Sequence, residues 1–187
     1  MKGCLCISFL LSFHLGWAQN SYPTKEEFVN SIFHQLVDSN FSYYLLSENA
    51  YPCSFKKFDY SEWQKYGLTQ EVPFPVLSEL SQKITEDTST GIWQQEKLQQ
   101  ARCLDEKTIR AILVTSNSTK KKWAKPKKEQ GAVFFFSKPA FSSDSAYAVI
   151  DMGFRCDNFE CGMGATYLFK KEGAYWKQVG RKLVWGN

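Results

Sequence analysis

The sequence predicts an α+β fold in which N-terminal helices pack on a C-terminal antiparallel β-meander of about four strands. Two observations carry this expectation. Up to about residue 130 most apolar residues recur at helical spacing, whereas from Ala132 they alternate in twos through four runs separated by turn residues. Helices first and strands last is the pattern of an α+β domain.

The chain opens with Lys2, an apolar run from Cys4 to Leu15, and Gly16-Trp17-Ala18, small residues standing at the two positions a signal peptidase reads. This predicts a signal peptide over residues 1–18, cleaved after Ala18, with residues 19–187 forming one domain: a helical part to about residue 130 and the meander from about 131 to 187. The apolar run is shorter than the roughly 20 residues of a bilayer-spanning helix, and no later run approaches that length. The residue directly after Ala18 is Gln19 and not a cysteine, so a lipid anchor is not expected, and the chain reads as soluble, either periplasmic or secreted.

Thr24 and Glu27 have the spacing of a capping box, and Phe28, Val29, Ile32, Phe33, Leu36 and Val37 mark the apolar face of a helix running to about Val37. "FSYYLLSE" reads as a strand, "YSEWQKYG" as a short helix stopped by Gly67, and Val76 to Ile84 as a further helix after two prolines. "TIRAILVTSN" is β-branched enough to read as a strand. "AVFFFSKPAF", "AYAVIDMGFRC", "CGMGATYLFKKEG" and "AYWKQVGRKLVW" are the four strands of the meander, with turns at Ser142-Ser143-Asp144 and Glu172-Gly173.

The second and third of these runs determine their own register. Ala146, Ala148, Ile150, Met152, Phe154 and Cys156 share one face, as do Cys161, Met163, Ala165, Tyr167 and Phe169. Setting Cys156 opposite Cys161 pairs Phe154 with Met163, Met152 with Ala165, Ile150 with Tyr167 and Ala148 with Phe169, which buries both apolar faces together. A slip of one residue would turn one face to water. Opposed residues of an antiparallel pair have Cα atoms about 4.5–5.5 Å apart, within the range a disulfide accepts, and a bridge across so short a loop contributes about 2 kcal/mol. An exported chain with cysteines at 53, 103, 156 and 161 reads as disulfide-bearing, with Cys156–Cys161 assigned by register and Cys53–Cys103 by elimination. A metal reading is weaker, because structural zinc commonly takes cysteine pairs two to four residues apart with a second pair or histidines. A redox reading is weaker because the spacer is not that of Cys-x-x-Cys. No metal site and no cofactor are expected.

The order of these features from residue 131 to 185, a Ser-x-Pro-x-Phe stretch, an Ala-x-Val strand, the Cys…Cys-Gly-x-Gly hairpin, a Gly-x-Trp-Lys-like turn and a terminal Trp, resembles a loose group of uncharacterised exported proteins of Gram-negative bacteria. The resemblance implies export and the fold of this third, and it carries no activity.

The same register sets Gly153 opposite Gly164, and Arg155 opposite Gly162, with Asp151 beside them. This strip of bare backbone is either a seat for a closely packed element or the floor of a ligand groove formed by Asp151, Gly153, Arg155 and Gly164. Asp151 is the one acid inside a core strand. Its structural reading is a pairing with Thr166, opposite it, or with a nearby Lys or Arg, and its catalytic reading is a hydrolase carboxylate. Lys120, Lys121, Lys122, Lys125, Lys127 and Lys128 around Trp123 read either as a solvated loop with one anchoring aromatic or as a polyanion contact. Overall charge is a weak +4, which does not call for a nucleic-acid partner.

His34 is the only histidine beyond the signal segment, so every Ser-His or Cys-His proposal would have to use it, and no G-x-S-x-G or phosphate-loop motif accompanies it. Tyr43, Tyr44, Trp176 and Trp185 read first as packing residues and second as stacking platforms for a sugar or a peptide. Asn40 and Asn117 head glycosylation sequons. The expected function is binding of an envelope or extracellular glycan or protein without catalysis, with an envelope or glycan hydrolase and a polyanion binder as the alternatives.

Overall fold

The computed structural model of the chain describes residues 22–36, 44–57, 59–65, 71–87, 89, 91–115, 132–156 and 162–186. Four helices, α1 (Lys25–Leu36), α2 (Tyr60–Lys65), α3 (Phe74–Glu86) and α4 (Glu106–Thr115), accompany nine strands among these residues. The strands are β1 (Tyr44–Ser47), β2 (Asn49–Ala50), β3 (Gly91–Ile92), β4 (Ala101–Leu104), β5 (Ala132–Phe136), β6 (Ala140–Phe141), β7 (Tyr147–Cys156), β8 (Gly162–Glu172) and β9 (Tyr175–Gly186).

Seven strands form one mixed sheet in the order β4-β1-β5-β7-β8-β9, with β6 also on β7, while β2 and β3 pair separately. The expectation of helices packed on a purely antiparallel meander is therefore corrected. The meander is present as β5 and β6, β7, β8 and β9, but β1 and β4 join it in parallel beside β5. β1 lies within the stretch "FSYYLLSE" read as a strand, but both added strands are only four residues long and find their partners far along the chain, so local periodicity carries no sign of their parallel pairing.

The sheet is covered on both faces. On one, α1 buries Phe28, Val29, Ile32 and Phe33 against Leu46, Phe136, Ile150 and Phe169. Phe28 is the centre of that layer, edge-on to Phe141, Phe169 and Trp176 at 5.1–5.5 Å between centroids. On the other face α2 and α3 bury Trp63, Leu77 and Leu80 against Val149 and Leu168, and α4 buries Ile109 and Leu113 against Leu45 and Val133.

Helix α1 begins as its capping box requires: Glu27 N donates to Thr24 Oγ1 at 3.2 Å, and Thr24 N donates to Glu27 Oε2 at 2.8 Å. The segment "TIRAILVTSN", expected as a strand, instead supplies most of α4. Asp105 caps it, accepting from Thr108 N at 2.7 Å and from Thr108 Oγ1 at 3.0 Å, and Arg110 pairs with Glu106 one turn away. Ile109 and Leu113, four residues apart, then fall on the buried side.

The β7–β8 register is the one read from the sequence: Phe154 faces Met163, Met152 faces Ala165, Ile150 faces Tyr167, Ala148 faces Phe169, Asp151 faces Thr166, Gly153 faces Gly164 and Arg155 faces Gly162. Cys161 and the side chain of Cys156 lie outside the described residues. The Cys53–Cys103 pairing is corrected, because both thiols are free. Cys53 is packed with the α2–α3 cluster, whereas Cys103 on β4 packs with the α1 cluster, so the sheet stands between them.

Candidate functional site

On the face that carries α2, α3 and α4, Trp185 lies over the glycine strip. A Cβ added to Gly164 would fall 2.5 Å from Trp185 Cε2 and closer still to Nε1, and one on Gly162 or Gly153 would meet the same ring at 2.9 and 3.0 Å. All three glycines are therefore needed to seat this indole. The element packed on the strip is an aromatic side chain rather than a helix or loop.

A β-bulge brings the ring there. Gly164 pairs with Trp185 but Ala165 pairs with Leu183, which leaves Val184 as an extra residue in β9. Without this insertion Val184 would stand opposite Gly164, and Trp185 would project from the α1 face beside Met163. Bulges re-aim side chains in this way, often beside functional sites. Trp185 keeps 36 % of its residue surface exposed, so it is seated without being covered.

Beside it is a recess of about 280 Å³, with Gly153 and Gly164 in its floor and Tyr51, Phe135, Arg155 and Trp185 around it. The Arg155 guanidinium lies 5.8 Å from the Phe135 ring centre and 5.5 Å from that of Trp185, a cation between two aromatic groups. Tyr51 is held by its backbone N–H donating to Phe136 O at 2.9 Å, while its ring meets Phe135 edge-on at 5.3 Å and remains 48 % exposed.

Asp151 also lines the recess, but its oxygens have partners. Oδ1 accepts from Thr166 Oγ1 at 2.6 Å and Oδ2 accepts from Ser54 N, which ties the Ser54 loop to the sheet. Nearby Cys53 is a neutral thiol: burial, reinforced by the negative charge of Asp151, pushes its pKa up to about 12.

Two further recesses adjoin. One of about 480 Å³ shares Tyr51 and Pro52 and contains Lys138, whose ammonium binds Asp87 at 2.5 Å and Ser89 at 2.7 Å. The other, of about 240 Å³, shares Ser54 and Val184 and contains the Lys182–Glu62 pair at 2.5 Å.

The structure thus brings together Asp151, Gly153, Arg155 and Gly164, the four residues of the sequence-derived groove, and adds Trp185 to them. Tyr44 and Trp176 are packing residues, 2 % and 4 % exposed on the α1 side. His34 is on the exposed side of α1, across the sheet from the recess. Tyr43, Asn40, Asn117 and the segment Lys120, Lys121, Lys122, Trp123, Lys125, Lys127 and Lys128 lie outside the described residues. Tyr51, Phe135 and Val184 were not legible as site residues. An aromatic before Pro52 was the only local signal at Tyr51, and nothing in the sequence linked it to Phe135 or Val184.

Among the described residues no group of three metal-ligating side chains comes together, and no helix is long and apolar enough to cross a membrane. No protein-family model, no curated protein and no solved structure matches this chain.

Proposed function

We propose that this chain is an exported, non-enzymatic binding module whose ligand lies against Trp185. The observation that carries the reading is the bulge at Val184 acting together with three glycines to hold an indole against the sheet while leaving part of Trp185 open to solvent. A core residue would be covered, and a surface residue would not need such a seat. Partly exposed Tyr51 and the Arg155 cation complete an aromatic recess with fixed polar groups at its edges, the usual composition of a ligand site.

The hydrolase alternative has less support. Asp151 spends both carboxylate oxygens on Ser54 and Thr166, which is the structural role. Export rests on the leader at residues 1–18 and on the resemblance of residues 131–185 to exported bacterial proteins.

Anilinonaphthalene sulfonate serves as a probe of the recess. Saturable binding of one dye per chain, lost in Trp185→Ala with unchanged far-UV circular dichroism, is the expected result. Dye binding indifferent to Trp185→Ala would sink the recess as a site. Intact mass of the protein secreted by a Gram-negative host, short by residues 1–18, is the expected result for export.

A further inference from the structure

We infer that the ligand is an extended, uncharged glycan that runs from the Trp185 recess across the Tyr51–Pro52 ridge into the larger recess beyond, an inference that rests on the Trp185 reading. Three observations select it. The first is continuity. The Trp185 recess, at about 280 Å³, is at the small end for a ligand site, but it shares Tyr51 and Pro52 with a neighbour of about 480 Å³. An occupant that uses both is longer than a single ring.

The second is charge. The charges along this path balance: Lys138 pairs with Asp87, Lys83 with Glu79, and Lys182 with Glu62 at the flank, while Arg155 and Asp151 bring one charge of each sign to the Trp185 recess. Asp151 is satisfied by hydrogen bonds. Such pairing leaves little net field to attract an ion, whereas fixed ammonium, carboxylate and hydroxyl groups suit the hydroxyls of a neutral sugar. A pyranose ring also has an apolar C–H face, which fits the partly exposed rings of Trp185 and Tyr51.

The third is backbone. The floor of the groove is the face of β7, β8 and β9, where Gly153, Gly164 and Trp185 are successive partners in the ladder. The N–H and C=O groups of Gly153 and Gly164 lie in the plane of the sheet and are spent on neighbouring strands, while the free side of the edge strand β9 is turned away from β8 and so from the groove. An extended peptide gains much of its affinity by adding to a free strand edge, and a sheet face does not provide one.

The test uses the mature chain with glucose, the disaccharides and hexasaccharides of β-1,4-glucose, α-1,4-glucose and β-1,4-N-acetylglucosamine, a heparin hexasaccharide, and a pool of random decapeptides, followed by calorimetry. At least one neutral hexasaccharide is expected to bind ten-fold or more tightly than its disaccharide. Trp185→Ala should weaken it at least ten-fold, with Trp185→Phe restoring most of the loss. Ser89→Ala, in the larger recess, should weaken the hexasaccharide while leaving the disaccharide within two-fold. Tryptophan-dependent binding of decapeptides alone, or preference for the heparin fragment, would overturn the glycan but leave the recess as a site. Glycan binding unchanged in both Trp185 variants would overturn the recess and the inference together. No binding of any neutral glycan at millimolar concentration would overturn the glycan inference.

Discussion

Replacing Gly164 by Ala tests whether the indole seat is a built feature. The added Cβ would stand 2.5 Å from Trp185 Cε2, well inside carbon–carbon contact, and its three nearest atoms all belong to that ring. Overpacking of this kind costs about 1–3 kcal/mol. Gly164 is not among the positive-φ residues, so Ala also lowers the entropy of the unfolded chain and returns about 0.5 kcal/mol. The net expectation is a loss of about 0.5–2.5 kcal/mol, or a fall in Tm of roughly 1–10 °C for a domain of this size.

A double-mutant cycle isolates the contact. Trp185→Ala alone should cost about 2–3 kcal/mol, less than a fully buried tryptophan because 36 % of the residue is exposed. With the ring gone, Gly164→Ala should become neutral or slightly stabilising, giving a coupling of about 1–3 kcal/mol. Urea unfolding of the four proteins measures it, with Gly173→Ala as a control, since that glycine has φ +64° and nothing within 4 Å of an added Cβ. Equal cost of Gly164→Ala in both backgrounds would refute the seat, and with it the reason for assigning a ligand to Trp185.

Asp151→Asn should lower stability by about 1–2 kcal/mol, because the amide can still accept from Ser54 N–H and donate to the Thr166 hydroxyl but gives up the carboxylate charge that strengthens both bonds; urea unfolding reads the loss, and loss of a turnover activity at unchanged stability would instead favour the hydrolase. With Cys53 at about 12, only about one thiol in ten thousand is ionised at pH 8, so native alkylation should label the more exposed Cys103 first and reach Cys53 only on unfolding, as peptide mass mapping will show. Since Cys53 and Cys103 are free, reduction of the exported protein should add about 2 Da for a single Cys156–Cys161 bridge, and a gain of about 4 Da would contradict the separation of the first two by the sheet. Hydrogen bonds from Lys138 and Ser89 depress Asp87 to about 2, so its stabilising contribution is complete above about pH 4 and is lost as pH falls toward 2. Asp87 is 44 % exposed, which holds the effect below about 1 kcal/mol, and Lys138→Met should flatten that part of the stability–pH curve.

Features determined by neighbouring residues could be read in advance. The capping box of α1 is a contact across three positions, and the β7–β8 register follows from two alternating apolar faces joined by a short loop, so Gly153, Gly164, Arg155 and Asp151 could be grouped before any coordinates. The stretch "TIRAILVTSN", which begins at Thr108, was misread because its β-branched content outweighed Asp105 and Thr108, whose spacing is that of a helix cap. Here capping and the four-residue spacing of Ile109 and Leu113 prevailed over intrinsic preference, since they bury both residues against Leu45 and Val133.

What the sequence by itself determined is the helix start, the meander and the glycine strip, because each depends on contacts a few residues apart or across one hairpin. Tertiary structure alone decided strand β4 and the parallel pairing of β1, the separation of Cys53 from Cys103 and the occupant of the strip. Their partners lie tens of residues away, where chain order holds no record of distance. The bulge at Val184 shows why: one extra residue in β9 moves Trp185 from the α1 face to the groove, and whether it forms depends on what β8 offers opposite.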